Sequence, residues 1–327
     1  ITVNVNGDGS AVVNYYYTRN SYTVDVTAGT GIGSVAGAGT YQYDEEITIS
    51  AVVKAGYTWS EWNGTHTFAD SVYTFNMPAE SVNVEAYATA NTDTPYKVNH
   101  WQQNIGGGNE LNSDNYTVLE TDNLEGTTDE EVTPIVNSYE GFISPAEVTV
   151  VVNGDGSTIV NYYYTRDKYC VEVEAGTGIS SVSGNGTYWY GESVTISATV
   201  LDGYTWSEWT GTHAFTDMTY TFIMPAESIS VTAYATADED TVYTVNHWLQ
   251  NIGGREEFNS DNYTLSVTED MTGITDTQVT PDVIEYEGFT SPVARTETVN
   301  GDGSTVISYY YKRNSYTLEV EAGTGIG

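Results

Sequence analysis

Basic residues are the scarcest chemistry in this chain: nine Lys and Arg stand against 45 Asp and Glu, a formal charge of −36. Such an excess excludes nucleic acid and anionic membrane as partners, because both are held through Lys and Arg. Cysteine is nearly absent as well. Cys170 is the only one in 327 residues, so no disulfide within the chain braces the fold. No apolar run approaches the ~18 residues that span a bilayer as a helix, and no membrane insertion is expected in this segment. Leu, Lys and Ala, the helix formers, are sparse. What is abundant is Tyr (28) and Gly (32), together with Val and Thr, which is the composition of strands and turns.

The residues that are present recur. Val5-Asn6-Gly7-Asp8-Gly9-Ser10 returns at Val152 to Ser157 and at Val299 to Ser304, an offset of 147 residues each time. The Tyr15-Tyr16-Tyr17 triplet returns in the same phase, and Trp59, Trp62 and Trp101 match Trp206, Trp209 and Trp248 with no insertion or deletion between. Fixed self-similarity of this kind marks a tandem array of small units. Within a period two modules differ. Module B covers residues 22–95 and 169–242, and module A covers 96–168 and 243–315. Residues 1–21 are then expected to be the closing hairpin of a truncated A module, and 316–327 the first strand of a truncated B module, as in a window on a longer array.

Module B alternates apolar and polar residues through Tyr22-Thr23-Val24-Asp25-Val26 and Glu46-Ile47-Thr48-Ile49-Ser50-Ala51-Val52-Val53, and both runs predict half-buried strands. Pro78-Ala79-Glu80 predicts a turn between two more. In module A, Tyr243 to Trp248 and Tyr263 to Val267 predict strands, and Asn300-Gly301-Asp302-Gly303 predicts a hairpin turn. The stretch 275–284 has room for one or two helical turns, kept short by Pro281.

These runs carry a resemblance. "YTVNHW", "VTPDVIEYEGFTSP" and "VNGDGSTVISYYYKR" in module A resemble the MucBP-type (mucin-binding-protein-like) repeats of Gram-positive surface proteins. "GYTWSEWNGTHTF" and "YTFNMPAESVNVEAYA" in module B are similar to internalin-B-type B-repeats. The resemblance implies a mostly β fold, an array of small β-grasp-like or β-sandwich-like modules with at most one short helix in each MucBP-like module. It also implies an extracellular, cell-surface or cell-wall-attached location in an adhesin or stalk.

Reactive groups are weighed against the repeat. Gly31-Ile32-Gly33-Ser34-Val35-Ala36 matches a dinucleotide fingerprint, but the loop leads into a strand pattern, and one period on Ser180 replaces the second glycine. Asn6 to Ser10 has the alternating oxygens of a calcium loop, yet the twelfth position is Tyr17 where a bidentate Glu is needed. Weak, non-specific Ca²⁺ association is the one metal reading the acidic composition favours, nearest Asp238, Glu239 and Asp240; no cofactor is implied. Lys54, Lys97, Lys168 and Lys312 stand opposite Leu201, Thr244, Ser21 and Thr165, so no isopeptide cross-link is built into each period. His66 and His213, and His100 and His247, lack a second ligand at metal spacing, and no catalytic set recurs. The expected function is a non-enzymatic stalk or fibre segment that spaces or forms a filament, with neighbouring modules or identical chains as partners. The alternative is an adhesin whose exposed aromatics stack on host glycan or mucin, or on the next module. Trp62, Trp209, Trp101 and Trp248 are its candidates. Trp59 and Trp62, three apart, are expected on opposite faces of their strand.

Overall fold

Runs such as Glu46–Val53 put Ile47, Ile49 and Ala51 on one face and Thr48 and Val52 on the other. A pleated strand with one dry side satisfies that pattern. The computed structural model describes residues 1–321 and 323–325, and among them every regular element is a strand and none is a helix. The chain forms several small β-sheet modules in tandem, grouped into two compact units, residues 1–166 and 167–327.

In the first unit the B module holds β1 (Ser21–Ala28), β2 (Ile32–Ala36), β3 (Gly39–Gln42), β4 (Glu46–Val53), β5 (Tyr57–Gly64), β6 (Val72–Asn76) and β7 (Val82–Ala90). One sheet runs β3-β1-β7-β5 and the other β2-β4-β6. The first and last strands lie parallel at the centre, Val24 opposite Val82. A parallel pair needs a long crossover, and the intervening strands supply it. The core is Val24, Ile32, Ile47, Ile49, Trp62, Met77, Val82 and Val84 with their neighbours.

The A module follows after three residues, with β8 (Thr94–Gln103), β9 (Tyr116–Gly126), β10 (Glu131–Val132), β11 (Phe142–Ile143), β12 (Val150–Val151) and β13 (Ile159–Arg166). Its sheet runs β11-β13-β8-β9, and again the first and last strands are parallel neighbours, Val98 opposite Val160. The core is dominated by tyrosine: Tyr96, Tyr162 and Tyr164 pack with Val98, Val152 and Val160. The second unit repeats both modules, with Lys168–Ala175 parallel to Ile229–Ala237 and Thr241–Gln250 parallel to Val306–Arg313.

Four expectations need revision. Asn300 to Gly303 forms a turn but closes no hairpin, because Glu297–Thr298 and Val306–Arg313 pair with other strands and not with each other. The stretch 275–284 forms no helical turn; Gln278–Val279 pairs with Glu297–Thr298 instead, and the Pro281 carbonyl accepts a hydrogen bond from the Tyr309 hydroxyl. Trp59 and Trp62 share one face, because a β-bulge at Ser60 adds a residue between them. Their rings meet edge to face at 5.7 Å. Finally, Tyr15, Tyr16 and Tyr17 lie exposed outside any strand, whereas Tyr162 and Tyr164 are buried in β13. A strand persists where a neighbour takes its N–H and C=O groups, and among the described residues no strand pairs with 11–19. Residues 314–321 are likewise not in a strand; Ala322, Ile326 and Gly327 of the strand expected over 316–327 lie outside the described residues.

Candidate functional site on the aromatic faces

The four candidate tryptophans fall into two classes. Trp62 and Trp209 are 0 % exposed and sit in the centre of their own B-module cores. Neither reaches a glycan or another module, which corrects the expectation for both. The Trp62 indole N–H is buried without a partner, while the Trp209 indole donates to the Asp217 carbonyl at 3.1 Å.

Trp101 and Trp248 are half-buried on the opposite face of the A sheet from its core. Trp101 stacks on Tyr163 at 5.6 Å, and Tyr163 meets Tyr116 edge-on at 5.1 Å. Polar groups frame the stack: the Trp101 indole and the Asn99 amide both donate to Asn161 Oδ1 at 2.9 Å, and Thr121 donates to Asn99 Oδ1. One period on, Trp248 stacks on Tyr310 at 6.1 Å and Phe258 covers Tyr310 at 4.5 Å. Ser308 replaces Asn161, too short to reach, and the Trp248 indole N–H is left without a partner.

Behind this face each A core holds a histidine. His100 is fully buried, its ring stacked on Tyr164 at 5.7 Å. The Tyr164 hydroxyl accepts from the Asn137 N–H at 2.9 Å and shares a hydrogen bond with His100 Nδ1, also at 2.9 Å. The other ring nitrogen, Nε2, faces the Asp122 carboxylate. Asp122 stands 3.3 Å from that nitrogen without forming a hydrogen bond. In the second unit the same chain runs from Ile284 N–H through Tyr311 to His247, and Nε2 bonds Glu269 at 3.1 Å. The sequence carries a signal for this pairing, since His and Tyr recur 64 residues apart in both periods. His66 and His213 are partly exposed and pair loosely with Glu80 and Glu227, at 3.7 and 3.6 Å.

The remaining sequence candidates resolve into turns. Gly31 takes a left-handed φ of 75° and leads into β2, a strand where a nucleotide loop requires a helix. In the Asn153 loop, Asp155 accepts from the Ser157 N–H at 3.0 Å, an Asx turn whose hydrogen bonds hold its carboxyl below the usual carboxylate range. Asp238 accepts from the Thr205 hydroxyl at 2.7 Å. Among the described residues no three His, Cys, Asp or Glu side chains converge as a metal site, and Cys170 is exposed.

Residues 22–92 and 169–239 each match the family model of the divergent InlB B-repeat domain. Each B module is therefore similar to a B-repeat. No curated protein matches the chain. Among solved structures, the Bacillus anthracis TIE protein aligns over 92 % of this chain and 76 % of its own at 8 % identity, with a TM-score of 0.37. A streptococcal ancillary pilin aligns over 91 % of this chain and 100 % of its own at 9 % identity, with a TM-score of 0.16. Neither alignment is close enough to establish a shared fold.

The two A modules also differ in a partly exposed network. Tyr139 donates a very short hydrogen bond to Glu120, which also accepts from the Asn137 amide at 3.0 Å. One period on these positions are Tyr286, Val267 and Ile284, and the Tyr286 hydroxyl is buried with no partner. Tyr139→Phe is therefore expected to lower the thermal midpoint of its module, and Tyr286→Phe to leave its own unchanged or raise it. Differential scanning calorimetry of the two variants checks the contrast.

Burial, with the Glu120 bond adding to it, pushes the Tyr139 phenol up to about 12, and burial does the same to Tyr311. A raised folded value means the unfolded phenol ionises first, near an ordinary pKa of roughly 10. The stability these groups contribute is complete below that pH and is lost as pH climbs towards about 12. Alkaline titration of unfolding should show that fall, and a flat profile between the two values would contradict it.

Proposed function

We propose that this chain is a length of extracellular stalk or fibre of a bacterial surface repeat protein, without enzymatic activity. The observation that carries the reading is the uninterrupted 147-residue recurrence of complete modules whose buried aromatics and histidines are all committed to packing. A unit copied whole, with no reactive set copied along with it, adds length and not chemistry. The likeness of the two B modules to B-repeats supports a surface location. The likeness of residues 96–168 and 243–315 to MucBP-type repeats rests on their motifs and points the same way. The strongly acidic surface keeps parallel stalks apart, and filament growth by contact with identical chains belongs to the same reading. Antibody against the period should stain the unpermeabilised cells that make the protein; staining only after permeabilisation would overturn the surface assignment.

A second reading is favoured by the half-buried Trp101–Tyr163 stack with Asn99 and Asn161 beside it, a flat aromatic ring edged by amides such as sugars stack on. In that case the modules bind glycan. Binding to mucin-type glycans on an array, lost in Trp101→Ala, supports it, and an array without signal for the unmutated chain sinks it.

A further inference from the structure

The connection from a B module to the A module after it is only three residues long, and backbone meets backbone across it. The turn between β4 and β5 brings Gly56, at a left-handed φ of 77°, against the Asn-Gly-Asp-Gly turn of the next module. A Cβ on Gly154 would lie 2.1 Å from the Ala55 carbonyl oxygen, and one on Gly56 would lie 2.4 Å from Gly154 Cα. Only two glycines facing each other permit this approach. Hydrogen bonds then tie the three pieces together. The Asn91 N–H of the connector donates to the Gly56 carbonyl at 2.8 Å, and the Thr128 N–H of the A module donates to the Asn91 carbonyl at 2.9 Å. The Tyr57 hydroxyl donates to Asp129 Oδ2 at 2.7 Å. Asp129 itself sits at φ 61°, a backbone state uncommon for a residue with a side chain and held here by its surroundings.

The second unit builds the same joint from its own residues. Gly203 faces Gly301, Asp238 bridges Gly203 and Thr275, Tyr204 bonds Asp276 at 2.7 Å, and Asp276 has φ 57°. Residues at the joint that make these contacts through the side chain, or that need glycine, are the same in both periods. Their neighbours Lys54, Ala55 and Thr92 become Leu201, Asp202 and Glu239. The turn signal that sequence alone assigns to a hairpin therefore serves as a joint between modules.

We propose that the Gly-Tyr turn of each B module is a docking surface for the Asn-Gly-Asp-Gly turn of the module that follows, locking the two modules into one rigid body. The bending element of the array is then not the B-to-A connector. The inference deepens the stalk reading but rests only on the joint, so the cell-surface test and this one fail independently.

Hydrogen exchange on the full chain decides it. In the unmutated protein the amides of Asn91 and Thr128 should exchange as slowly as core amides. Gly154→Ala should speed both by about tenfold or more, leave Val160 and Tyr162 protected, and open the connector to cleavage at Asp93. Gly7→Ala is the matched control, because Gly7 has nothing within 4 Å of its Cβ position, and should change nothing. Unprotected Asn91 and Thr128 in the unmutated chain, or protection unaltered by Gly154→Ala, would overturn the proposal. If Gly154→Ala also strips Val160 and Tyr162, Tyr57→Phe decides in its place. Faster exchange confined to the connector and Thr128 supports the joint, and rates equal to the unmutated protein refute it.

Discussion

Trp62→Ala is expected to remove about 3–5 kcal/mol from the first B module, the cost of emptying a large site in a packed core. The indole is fully buried, its edge against Trp59 and its backbone paired with Phe68 on the neighbouring chain segment. Its N–H has no partner, so the loss is one of packing and not of hydrogen bonding. Domains hold roughly 0.05–0.15 kcal/mol per residue, so a module of this size loses much of its stability in one step. Urea unfolding followed by exchange at Ile49 and Val84 should show the first repeat opening early while the second, with Trp209 intact, is unaffected. A shift below about 1 kcal/mol would mean that the tryptophan is not the keystone of the core.

His100→Ala should cost the A module about 2–4 kcal/mol, from the cavity and from the Tyr164 hydroxyl left without its ring partner. His100→Phe separates the two contributions, since it restores most of the ring volume and leaves the hydroxyl without that hydrogen bond. The same change at His66, partly exposed and 3.7 Å from Glu80, should stay within about 0.5 kcal/mol. Urea midpoints of the three variants check the order. Equal effects at His100 and His66 would contradict the buried relay of Asn137, Tyr164 and His100.

Much of this architecture is legible in the chain itself, because strands announce themselves through alternation and the repeat through exact spacing. Glu46–Val53, Val82–Ala90 and the turn at Asn153 are where the pattern puts them. What alternation misses is any event that breaks its own count. The bulge at Ser60 turned Trp59 and Trp62 to one face, and nothing in Trp-Ser-Glu-Trp signals an extra residue. Pairing across distance is equally hidden. Trp101 finds Asn161 and Trp248 finds no equivalent, although the two tryptophans sit in nearly identical local sequence. The joint glycines left a fainter trace. Gly56 and Gly154 persist through the period where Gly33 gives way to Ser180, which marks the first two as structurally demanded.

Arrays of one, two and three 147-residue periods, imaged singly by electron microscopy, test the stalk reading most directly. Each added period should lengthen the particle by the same increment, about 60 Å for two modules each on the order of 30 Å across. Particles that grow in volume without growing steadily in length would show that the repeats pack into a body and not a stalk.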